Sequence, residues 1–69
     1  MFTIHLKEDY IKLGQALKAA HLVDTGVDAK YEILDGKVKV NGEVCLMRGK
    51  KLVDGDVVSY RGQEIKILK

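Results

Sequence analysis

The sequence predicts an α+β domain in which two helices pack on a small antiparallel sheet. Three observations carry this. Phe2, Ile4 and Leu6 alternate with Thr3, His5 and Lys7, the period of a half-buried strand. Leu13, Leu17 and Ala20 then recur at helical spacing, and Ala29 and Ile33 resume it after a break. Beyond Gly36 the period returns to two, punctuated by tight turns at Asn41-Gly42 and Arg61-Gly62.

The opening strand places Phe2, Ile4 and Leu6 inward and leaves His5 at the surface with no assigned role. Asp9 is positioned to cap a first helix from near Tyr10 to about His21, with Glu8 and Asp9 suiting its positive end. Tyr10 and Ala16 flank its apolar stripe. Lys12, Gln15 and Lys18 lie off that stripe, where they either touch a phosphate backbone or simply solvate the helix. Gly14 inside the helix costs about 1 kcal/mol against alanine, so a close helix approach or a backbone contact is expected there. Leu22 and Val23 turn back into the core.

Thr25-Gly26-Val27-Asp28 has the spacing of a capping box, with Asp in place of the usual Glu or Gln. A second helix therefore runs from about Gly26 to Leu34. Ala29 and Ile33 form its buried side with Val27 and Leu34 beside them, and Tyr31 reads as a half-buried edge of the core rather than a stacking platform. Gly36 sits where a helix ends in a left-handed residue.

Val38 and Val40 then point to one side of a strand, with Lys37, Lys39 and Asn41 on the other. Asn41-Gly42 tolerates the positive φ that a two-residue hairpin demands, and Val44 returns along the partner strand. Cys45 reads as a strand residue explained by apolar burial. Leu46 to Gly49 is irregular, Lys50 to Val53 leads into the turn Asp54-Gly55-Asp56, and Val57 to Tyr60 is a strand. Gln63 to Leu68 closes the sheet with Ile65 and Ile67 inward.

Residues 1–69 read as one domain, with no repeat, low-complexity segment, linker or proline. At 46% apolar and 32% charged the composition is that of a folded chain. A single cysteine cannot pair within the chain, no run approaches a membrane span, and Met1 to Leu6 lacks the features of a signal peptide, so a cytoplasmic setting is expected. The net charge of +2 is unevenly spread: residues 30–51 hold six basic and three acidic side chains. Such a concentration is either a polyanion footprint or a plain solvated face.

The chain resembles the ribosomal-protein-S-four type of RNA-binding domain, also called the alpha-L motif. The resemblance rests on the leucine-bearing helix, the Thr25-capped helix with Ala29 and Ile33, Gly36-x-Val38-x-Val40-Asn41-Gly42, and Leu52-x-x-Gly55-Asp56-x-Val58. It covers roughly residues 10–60, and the chain looks most like the short free-standing bacterial members. The resemblance implies a structured-RNA partner, ribosomal or transfer RNA, met by the second helix and the following hairpin in a translation or ribosome-associated role. Carried over position by position, it implicates Lys30, Lys37, Lys39 and Asn41, with Lys12 and Gln15 alongside. Charge clustering adds Arg48, Lys50 and Lys51. Many members open the second helix with Ser-Arg where this chain has Thr25-Gly26. Either the glycine amide approaches a phosphate instead, or affinity is lower.

Shape and phosphate contacts are how small proteins recognise folded RNA, and four aromatics are too few for a single-strand platform. These cations are therefore expected to converge on a single outward surface. Catalysis is not expected: Cys45, His5 and His21 belong to no Cys-x-x-Cys, His-x-x-x-His, Gly-x-Ser-x-Gly or phosphate-loop pattern, and Asp54 and Asp56 flank a turn glycine. No cofactor, metal or membrane is implied. The alternative reading is a protein-protein interaction module without direct RNA contact.

Overall fold

Nine elements follow from these patterns in a computed structural model that describes residues 2–69. They are β1 (Phe2–His5), β2 (Ile11–Lys12), α1 (Leu13–Ala19), α2 (Gly26–Leu34), β3 (Val38–Val40), β4 (Glu43–Val44), β5 (Lys51–Leu52), β6 (Val57–Tyr60) and β7 (Gln63–Leu68). The main sheet has the order β1-β7-β6-β3-β4, and β2 and β5 form a separate two-stranded ribbon. Val38, Val58, Ile65 and Ile67 on one face of the sheet and Leu13, Leu17, Ala29 and Ile33 on the helices are all fully buried in one cluster. The opposite face carries the row Lys39, Ser59 and Glu64, set side by side by the strand register, with Lys39 and Glu64 exposed and Ser59 half-buried between them.

The fold class expected from the sequence is the one found, with one change in the sheet. β1 runs parallel to β7, Phe2 beside Ile65 and Ile4 beside Ile67, so the sheet is mixed. These two strands are joined by nearly the whole chain rather than by a hairpin, and such a long connection permits the parallel arrangement. As the edge strand β1 is only partly covered: Ile4 and Leu6 are half-buried against the core, but Phe2 is exposed.

α1 starts three residues later than the Asp9 cap predicts. Ile11 and Lys12 are extended and pair with Leu52 and Lys51, a tertiary contact that overrides local helix preference. The first free amides of α1 are satisfied from afar: Leu13 N donates to the Lys50 carbonyl at 2.9 Å and Gly14 N to the Arg48 carbonyl at 3.0 Å. Asp9 instead pairs with Lys69. Of the two reasons offered for Gly14, the backbone contact is realised, and a Cβ there would meet Ala29 and Arg48 at an ordinary 3.7–3.8 Å.

α2 begins where expected, with Thr25 Oγ1 accepting from Asp28 N at 3.1 Å. It ends on Gly36 at φ +77°, where Gly36 N donates to Ile33 O and Lys37 N to Glu32 O, the paired bonds of a left-handed helix terminus. Its buried stripe is only Ala29 and Ile33. Val27 and Leu34, expected beside the core, are exposed, and so is Tyr31, expected off the buried side as a half-buried edge. A nine-residue helix lying on a sheet covers one narrow stripe, and these three positions fall on the other side. Both hairpin turns adopt the predicted form, with positive φ at Asn41 and Gly42 and again at Arg61 and Gly62. Cys45 lies just past β4, half-buried, its thiol donating to the Met47 carbonyl.

Candidate nucleic-acid interface

The loop after β4 folds back onto the start of α1, and the carbonyls of Arg48 and Lys50 hold it there. This builds a cleft of about 350 Å³ whose rim carries Lys12, Gln15 and Lys18 from the α1 segment, Gly26 from α2, and Arg48 and Gly49 from the loop. No carboxylate lines it. Among the described residues the ion pairs are those of Lys37, Arg61 and Lys69, so Lys12, Lys18 and Arg48 keep their charge unneutralised. Glycines at 26 and 49 leave backbone open beside these cations, with nothing within 4 Å of where a Cβ would stand at either.

Two further features bear on the cations beside the cleft. Lys12 lies directly opposite Lys51 across the β2-β5 ribbon, an arrangement of like charges that costs stability in water and is relieved by an anion. Lys51 leans its ammonium over the Tyr10 ring, 4.9 Å from the centroid. Gln15 has a structural duty: its Oε1 accepts from Lys12 N at 3.3 Å, closing the first turn of α1.

The nine residues named from the sequence are not all gathered into this cleft. Lys12, Gln15 and Arg48 are. Lys37 and Lys39 line a second depression of about 230 Å³ together with Arg61. There Lys37 is held by Glu32 at 3.1 Å and Asp35 at 3.6 Å, and Arg61 by Glu32 at 2.9 Å, so most of that charge is already answered. Glu32 is correspondingly kept below the usual carboxylate range, first by the hydrogen bond from Tyr60 and then by Lys37. Asn41 and Lys50 border a third groove, lined largely by Val44, Leu46 and Met47. The Asn41 side chain is engaged at both ends, Nδ2 donating to Asp56 Oδ1 at 3.0 Å and Oδ1 accepting from Val57 N at 2.9 Å. Lys30 is exposed on α2.

Lys18, left between phosphate contact and solvation and not among the residues that the resemblance implicates, also lines the cleft. Its signal was its spacing: Gly14, Gln15 and Lys18 share one helix face at i, i+1 and i+4. Arg61 beside Lys39 carried no comparable signal, since a turn residue's neighbours depend on strand pairing.

The S4 domain family model matches residues 4–68 of the chain. Among curated relatives, "Putative RNA-binding protein YbcJ" of Escherichia coli K12 is 32% identical over 62 residues, spanning 90% of this chain and 89% of that protein. "Probable ribosome maturation protein RlbA" of Bacillus subtilis 168 is 41% identical over 59 residues, spanning 86% and 83%. The solution structure of Escherichia coli YbcJ, which reveals an alfaL motif involved in RNA binding, is similar over all of this chain and 89% of the other, with a TM-score of 0.76 and 33% identity.

Proposed function

The chain belongs to the S4 domain family, and on that premise we propose that it is a non-catalytic RNA-binding protein whose cleft between α1, α2 and the 46–50 loop holds the phosphate backbone of structured RNA. The observation that carries this is the trio Lys12, Lys18 and Arg48 around open glycine backbone, with no carboxylate among the lining residues. Three unanswered cations at one concave site suit a strand of phosphates, which supplies several anions at fixed spacing. The YbcJ relative is named for RNA binding and the RlbA relative for ribosome maturation. The first name supports RNA as the partner, and the second favours ribosomal RNA over transfer RNA and a role in ribosome assembly.

The test is fluorescence anisotropy with folded ribosomal RNA fragments against a single strand of matched length, over a salt series. The folded fragment binds more tightly, and affinity falls steeply as salt rises because bound counterions are released. Equal binding of both RNAs would defeat the claim of structure recognition, and no salt-sensitive binding to either would defeat the proposal itself.

A further inference from the structure

We propose that the outer face of α2 is a docking site for a basic, amphipathic protein segment, distinct from the cleft to which RNA is assigned. Val27, Tyr31 and Leu34 recur at i, i+4 and i+7 on the side of α2 opposite buried Ala29 and Ile33, and they are 60%, 64% and 56% exposed. Single apolar residues at a surface need no explanation, but three large ones aligned along one helix are how helices meet partners. Beyond the end of the helix another exposed apolar side chain, Val44, stands within 3.8 Å of where a Cβ on Gly36 would be.

Charge selects the occupant. Residues 24–35 contain four acids, Asp24, Asp28, Glu32 and Asp35, against one base, Lys30. Glu32 and Asp35 are engaged by Lys37 and Arg61, which leaves Asp24 and Asp28 without an ion pair among the described residues, beside Tyr31 in a depression of about 240 Å³ where the one lining cation, Arg61, is held by Glu32. Lys30 stands on the other flank, one turn from Gly26 and on the same side of the helix. An RNA backbone laid on this band would face Asp24 and Asp28, and a second copy of the chain would bring the same acidic helix against itself. A Lys- or Arg-bearing segment places apolar side chains on Tyr31 and Leu34 and its cations at Asp24 and Asp28.

The experiment titrates ¹⁵N-labelled full chain with three synthetic peptides of equal length: an amphipathic Lys/Leu helix, its Glu/Leu counterpart and a Lys/Ser peptide without apolar residues. The Lys/Leu peptide shifts amides concentrated in residues 24–35, and the other two do not. Tyr31→Ser and Asp28→Lys each weaken that binding about tenfold or more, while affinity for a folded ribosomal RNA fragment is not lowered. Shifts that avoid α2, or equal binding of the Lys/Ser or Glu/Leu peptide, would overturn the proposal. So would loss of RNA affinity in these variants, which would make the face part of the nucleic-acid surface. Failure of RNA binding in the parent chain would leave the peptide result standing.

Discussion

The Tyr60 hydroxyl donates a 2.6 Å hydrogen bond to Glu32 Oε1, joining the sheet to the helix that lies on it. Arg61 reaches the same oxygen at 2.9 Å and Lys37 the other at 3.1 Å, so one carboxylate ties α2 to β6, to the second hairpin and to the start of β3. Tyr60 is buried and its phenol is pushed above its usual range, by burial first and by the Glu32 hydrogen bond second. The contact orients α2 on the sheet, which in turn sets where Gly26 stands on the rim of the basic cleft.

Acid should loosen this junction. Glu32 titrates below its unfolded value of 4.5, so its stabilisation is complete above that pH and is lost as pH falls through the lower folded value. Tyr60 has the opposite sign: its contribution is present below its unfolded value of 10.0 and is lost as pH rises through the raised folded value. Urea midpoints of the parent and Glu32→Gln, compared at pH 7 and at pH 3, should differ most at pH 7 and converge in acid. A gap that widened in acid would contradict the assigned sign.

Charge at the cleft should matter more than charge on the hairpin. Lys18→Gln with Arg48→Gln should lower RNA affinity and reduce the slope of log K against log salt by about 1 to 2 for the phosphates released. Lys37→Gln should do less, because Lys37 already answers Glu32 and Asp35. The salt slope, read by anisotropy, separates the two sites, and a larger effect at Lys37 would move the interface to the sheet face.

Gly26→Arg should tighten RNA binding. The position is open and lies on the cleft rim beside Lys18 and Arg48. One added phosphate contact raises the salt slope by about 1. Replacing glycine in a helix also gains up to about 1 kcal/mol, opposed by a cation at the helix's positive end. Unchanged affinity and slope would show that the cleft rim lies outside the RNA path.

Asn41→Ala should cost about 1 to 3 kcal/mol of stability, since it removes the bonds to Asp56 and Val57 and puts alanine at a left-handed position. RNA affinity of the folded fraction should hold, because the Asn41 amide is spent within the protein. Chemical unfolding and anisotropy on the same variant test both statements.

Residue choice alone made the local features legible. The Thr25 cap, the Gly36 terminus, both tight turns and the inward pairs Val38/Val40 and Ile65/Ile67 all follow from chemistry acting over a few residues. So did the broad class, two helices on a sheet. The identity of several basic residues was legible too, Lys12 and Arg48 among them.

Their grouping was not. Lys12 meets Lys18 and Arg48 only because carbonyls of the 46–50 loop accept from the first amides of α1, next to the strand pairing of Ile11 and Lys12 that moved the helix start from Tyr10 to Leu13. Likewise Val27, Tyr31 and Leu34 are apolar wherever they sit, but the seating of α2 on the sheet decided that they face water. The sequence by itself determined what each segment is, because turns and caps are settled by neighbours along the chain. Which charges share a surface was decided only by tertiary structure, because that depends on contacts between residues far apart in sequence, which no short-range pattern encodes.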